Sequence, residues 1–199
     1  VWKNVPNYLT LFRLGLVPIF VLLLLDPSEG MTLLAIVVFI IAAITDYVDG
    51  IIARAFGATS DFGKLLDPLV DKVLVMAALV MLVAQRSDVD GHPWVPAWMV
   101  VLVLAREIWV TGLRAVAATR GIVVGAKAAG KVKSGFQMVA IVFLLLHHKT
   151  VTIFGYETPC QLVGLNLLFI SIIFSYWGAY DYTHSILLEE RGQREEGRG

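Results

Sequence analysis

The stretch TDYVDGIIARAFGATSDFGKLLDPLVDK, residues 45–72, decides the reading of this chain. It packs five aspartates, three glycines and an arginine between runs of Ile, Val, Leu and Ala. The 199 residues around it are 58% hydrophobic and 16% charged, with a mean hydropathy of +0.77. An ordinary soluble domain carries about 25% charged residues. A water-soluble globule of this length is therefore excluded, and an all-α integral membrane protein is expected. Acids in such a chain are costly unless they work, because ionisable groups within membrane helices are as a rule functional.

Working outward, six apolar segments predict six transmembrane helices, over 9–25, 32–56, 65–84, 95–119, 134–148 and 162–187. About 20 apolar residues cross a bilayer core of roughly 30 Å. DPSEG, RSDVDGHP and HHKTVTIFGYETP read as turn-rich connections. Residues 1–190 form one membrane domain, and 191–199 a charged tail that frays from it. The first apolar run lacks a small-residue cleavage pattern and reads as a retained helix.

Lys and Arg gather on one side of this layout. Lys3, then Arg54 and Lys64, then Arg120, Lys127, Lys131 and Lys133, and finally Arg191, Arg194 and Arg198 alternate with loops holding only Arg86 and Lys149. The positive-inside rule sets both termini and the aspartate stretch on the cytoplasmic side. Trp94 and Trp98, near an outer loop, suit an interfacial belt. The formal net charge is zero, and no nucleic-acid partner is expected. The one cysteine, Cys160, excludes an internal disulfide and reads as an apolar filler.

Asp46 and Asp49 are three residues apart, and Asp67 and Asp71 four apart, so each pair shares a helix face. Four carboxylates gathered at one membrane surface repel. Two charges about 5 Å apart cost roughly 3 kcal/mol at an effective dielectric of ~20. Protons or divalent cations can offset this, and a set of oxygen ligands favours hard ions such as Mg²⁺ or Mn²⁺ over zinc. Two ions bridged by shared carboxylates form the clamp used in phosphoryl transfer. Gly50, Ala53 and Gly63 leave room for a phosphate ester, or else serve helix packing. Asp61 reads as a helix cap rather than a ligand.

The whole pattern is D-x-x-D-G-x-x-A-R, an eight-residue gap, then G-x-x-x-D-x-x-x-D, filled by Asp46, Asp49, Gly50, Ala53, Arg54, Gly63, Asp67 and Asp71. It resembles the motif of the CDP-alcohol phosphatidyltransferases, whose six-helix membrane fold would cover nearly the whole chain. The opening NVPNYLTLFRLGLVPIF and the stretch from Arg106 to Ile141 resemble the branch using sn-glycerol 3-phosphate. That resemblance implies a reaction of CDP-diacylglycerol with sn-glycerol 3-phosphate, giving phosphatidylglycerophosphate and CMP at a bacterial inner membrane. It implies two Mg²⁺ or Mn²⁺ ions on Asp46, Asp49, Asp67 and Asp71, with Asp71 also the general base. It further implies that Asn7, Thr10, Gly50, Arg54 and Ser60 hold the CDP part. Members of the family are often dimeric, so a homodimer among membrane lipids is expected by likeness.

A dianionic acceptor needs cations. Arg106 and Arg114 in the fourth segment, and Lys131 and Lys133 before the fifth, are the candidates for its phosphate. Glu107 is expected to orient an arginine, and Lys72 to tune Asp71 or to reach the interface. Other acceptors within the family, phosphatidylglycerol or an inositol phosphate, stand as alternatives. A cation transporter or proton channel is the rival from another class. It would be expected to spread acids across the bilayer, whereas here they cluster at one side.

Overall fold

The computed structural model describes residues 5–26, 28–56, 61–86, 91–119, 128–153 and 155–196. Six helices run in order: α1 (Val5–Leu23), α2 (Glu29–Phe56), α3 (Asp61–Ala84), α4 (Ala97–Thr119), α5 (Ala128–Leu145) and α6 (Cys160–Glu196). Strands β1 (Thr150–Ile153) and β2 (Tyr156–Pro159) intervene between α5 and α6. The chain is mostly helical with six helices, as expected, and this hairpin is added to them in what reads in the sequence as a plain connection. Its β-branched run TVTI suits a pleated strand. The register pairs Thr150 with Pro159 and Ile153 with Tyr156, and Gly155 closes the turn at a φ of +85°. Helix α6 continues to Glu196.

Packing builds one main core. Phe20 of α1 meets Phe39 of α2 with ring centroids 5.9 Å apart, and both are buried with Leu24, Ala78, Leu79 and Leu82. Gln85, just after α3, donates from Nε2 to the Leu24 carbonyl and ties α1 to α3. Helices α5 and α6 are antiparallel: Gly164 at the start of α6 sits on Ala140 and Leu144 late in α5, while Phe136 stacks on Phe174. A Cβ on Gly164 would lie 2.7 Å from Leu144 Cγ and 3.0 Å from the Ala140 carbonyl oxygen. Only glycine allows that approach. Helices α4 and α6 run parallel, as Trp98 meets Phe169 and Tyr176 Oη donates to the Leu102 carbonyl at 3.1 Å.

Trp94 departs from its expected interfacial place. It is 2% exposed and stacks on His147 with centroids 3.5 Å apart, whereas Trp98 is half-exposed. Nearby, the exposed Glu29 carboxylate accepts a hydrogen bond from Lys149 Nζ and lies 3.7 Å from His148 Nε2. That bond holds the Glu29 carboxyl below its ordinary range.

Many large apolar side chains point outward, among them Leu11, Leu22, Ile108, Trp109 and Trp177. A soluble monomer rarely exposes so much contiguous apolar surface. Among the described residues, α6 over Cys160–Glu189 is long and apolar enough to cross a bilayer. Over the residues whose side chains the structure describes, shorter apolar helical stretches of 10–17 residues are Leu9–Leu23, Glu29–Thr45, Lys72–Ala84 and Lys133–Leu145.

Candidate active site

The helices deliver the motif by simple geometry. α2 carries Asp46, Asp49, Gly50 and Arg54, and α3 carries Asp67 and Asp71. With 3.6 residues per turn, each aspartate pair shares a face of its own helix. The side chains of these residues, and of Asn7 and Lys131, lie outside what the structure describes; Ser60 lies outside the described residues altogether. Among the described residues, no three His, Cys, Asp or Glu side chains converge as a metal site. The donor set of the motif, carboxylate oxygens alone, fits hard divalent cations. Thr10, expected at the nucleotide, is buried on α1.

Next to this end of α3 lies a cavity of about 270 Å³. Its polar lining is Lys72 of α3, Glu107 and Arg114 of α4, and Lys133, Ser134 and Gln137 of α5. Lys72 follows Asp71 directly in the chain. Among the described residues, three cations against the carboxylate Glu107 give this lining a net charge of +2. Glu107 is the hub. It accepts from Lys133 Nζ and, at 3.0 Å, from Arg106 Nη1, and it lies 3.5 Å from Lys72 Nζ. Lys72 also donates to Thr111 Oγ1 at 2.6 Å. The Arg114 guanidinium stands 5.6 Å from the ring centre of Tyr182, a cation–π contact that ties it to α6.

Of the four residues expected at the acceptor phosphate, Arg114 and Lys133 line this cavity together. Arg106 turns elsewhere. Its Nε donates to the Ser175 carbonyl of α6 at 2.9 Å, and it borders a separate groove with Trp109, Tyr176, Tyr180 and Thr183. Eight residues on a helix rotate by about 80° beyond two full turns, enough to part Arg106 from Arg114. Seven residues leave about 20°, so Glu107 shares the face of Arg114 instead. Sequence reasoning gave Lys72 and Glu107 lesser parts and gave Gln137 none. The signals were there: the seven-residue spacing from Glu107 to Arg114, and the four-residue spacing from Lys133 to Gln137.

Comparison with known proteins gives a consistent picture. A family model described as CDP-alcohol phosphatidyltransferase matches residues 3–177. The CDP-diacylglycerol–glycerol-3-phosphate 3-phosphatidyltransferase of Bacillus subtilis is 38% identical, over 90% of this chain and 93% of that protein. Proteins of the same name are 36% identical in Rickettsia bellii, over 87% of this chain and 92% of theirs, and 35% identical in Sodalis glossinidius, over 92% and 94%.

Proposed function

The chain belongs to the CDP-alcohol phosphatidyltransferase family, and on that premise we propose how its own residues carry out the reaction. It transfers the phosphatidyl group of CDP-diacylglycerol to sn-glycerol 3-phosphate and releases CMP, the activity its relatives are named for. The observation that carries the acceptor is the cavity lined by Lys72, Arg114 and Lys133 around Glu107. A net charge of +2 complements the dianion of a phosphate monoester. A neutral acceptor, or a lipid too large for about 270 Å³, gains little from it.

In this reading Asn7 and Thr10 of α1, Gly50 and Arg54 of α2, and Ser60 hold the CDP part. Asp46, Asp49, Asp67 and Asp71 would hold two divalent cations, Mg²⁺ or Mn²⁺, which neutralise the pyrophosphate and the leaving phosphate when bound. Arg114 and Lys133 orient the acceptor through its phosphate, with Lys131 on the same helix as a further cation. The primary hydroxyl of the acceptor attacks the phosphatidyl phosphorus. A new P–O bond forms as the bond to CMP breaks, CMP leaves with the electron pair, and the Asp71 carboxylate takes the hydroxyl proton. Arg106 acts from behind, fixing Glu107 and α6.

The same proposal sets the six helices across a bacterial inner membrane, with both termini and the site at the cytoplasmic face. Outward-facing apolar side chains on α1, α4 and α6 support it, as does the Lys and Arg bias of the loops.

The test uses purified protein in detergent with CDP-diacylglycerol, Mg²⁺ or Mn²⁺, and a panel of acceptors: glycerol 3-phosphate, phosphatidylglycerol, an inositol phosphate and serine. CMP release that requires metal and glycerol 3-phosphate is expected. Release with another acceptor in preference overturns the acceptor assignment. Absence of metal-dependent release with every acceptor overturns the transferase reading in favour of transport.

A further inference from the structure

Gln137 is 4% exposed, lines the acceptor cavity, and its Nε2 is buried without a hydrogen-bond partner among the described residues. A buried donor left unmade costs roughly 1–3 kcal/mol, and such groups in a native fold call for a reason. Resting on the acceptor reading above, we infer that Gln137 is a specificity-determining residue that recognises the non-reacting secondary hydroxyl of glycerol 3-phosphate.

The argument is one of matching partners. The acceptor brings three kinds of oxygen. Its phosphate is served by Arg114 and Lys133, cations suited to a dianion. Its reacting primary hydroxyl must lie toward Asp71, at the side of the cavity where Lys72 stands. The secondary hydroxyl is neutral and, once enclosed, needs a neutral partner. Glu107 is engaged by Arg106 and Lys133. Gln137 stands one helical turn from Lys133 on the same face of α5, about 6 Å along the axis. That spacing is of the order of a three-carbon phosphate ester. Its Nε2 donates to the hydroxyl oxygen, and the buried amide gains a partner that the described residues do not provide. An acceptor without this hydroxyl leaves the amide unpaired and is disfavoured for that reason.

The test compares two acceptors on the full chain with CDP-diacylglycerol and Mg²⁺: sn-glycerol 3-phosphate and 3-hydroxypropyl phosphate, which lacks only the secondary hydroxyl. Wild type is expected to favour the former in kcat/KM by roughly 3- to 10-fold, the worth of one neutral hydrogen bond. Gln137→Met, similar in volume and without a donor, is expected to lose that factor on glycerol 3-phosphate and to change less than about 2-fold on the analogue. Gln137→Asn draws the amide back by one methylene and reads the same ratio if the Met variant does not fold. An equal fall on both acceptors, or an unchanged preference in either variant, overturns the inference while leaving the transferase reading intact. A wild type inactive on both phosphates overturns the acceptor reading and the inference together.

Discussion

Replacing Glu107 by glutamine keeps its shape and removes the negative charge that Lys72, Arg106 and Lys133 share among the described residues. The Glu107 and Lys133 side chains are only 11% and 8% exposed, so water can do little to compensate. Removing one partner of a buried ion pair costs about 3–5 kcal/mol. Glutamine retains an acceptor oxygen, which puts Glu107→Gln near the lower bound, at about 3 kcal/mol. Lys133→Met should cost less, because Glu107 keeps Arg106 at 3.0 Å and Lys72 at 3.5 Å. In the double variant the charge left stranded by the first change is itself gone. The two effects should therefore fall short of additivity by about 2 kcal/mol, within the range for directly contacting groups. Reversible unfolding in mixed micelles, titrated with a denaturing detergent, measures all four corners of the cycle. Additivity to within about 0.5 kcal/mol would mean that the pair is not energetically coupled, and the hub around Glu107 would have to be abandoned.

Arg114→Met should raise the KM for glycerol 3-phosphate by roughly 10- to 100-fold, the loss of a charge-assisted bond, while Arg106→Met should chiefly lower stability; equal KM effects would contradict their separation. Asp71→Asn should cut kcat by at least ~10²-fold and leave CDP-diacylglycerol affinity nearly intact, and a fully active variant would exclude Asp71 as the base. Gly164→Ala should destabilise by up to about 2 kcal/mol, since overpacking at roughly 1–3 kcal/mol offsets the helix-propensity gain of about 1 kcal/mol, and a stabilised variant would refute the close approach of α5 and α6. Glu29 is held below its ordinary pKa of 4.5 by Lys149, so its ion pair contributes above that value and is lost as pH falls through the lowered one. The stability difference between wild type and Glu29→Gln should thus be constant at neutral pH and close under acid; a difference that persists there would argue against the pair.

Helix number and order were legible because apolar runs broken by turn residues are the plainest signal in such a chain. The ends were less so. Hydropathy favours a start near Ser134 for α5, yet the helix begins at Ala128, because Lys131 and Lys133 can extend from helical backbone without breaking it. At the other end of the chain, α6 passes beyond the apolar region into EERGQREE, where residues of good helix propensity carry it on. The hairpin escaped notice since four-residue strands leave almost no periodic pattern. Arg114 and Lys133 were found as phosphate candidates from their charge alone. Arg106 carries the same charge in the same apolar segment, and only the rotation of about 80° over eight residues sets it apart from Arg114. Gln137 has no charge to mark it, so its four-residue spacing from Lys133 was its one sign in the sequence before its burial was known.

Arg106 and Glu107 are consecutive in the chain and bonded to each other, yet their other partners stand on different helices. One is fastened to the carbonyl of Ser175 on α6, and the other gathers lysines from α3 and α5. A helix held by neighbours about 100° apart is keyed against spinning as well as sliding. Any rearrangement that admits one substrate or frees the other product must carry α4 along as a fixed spindle, or first withdraw both keys.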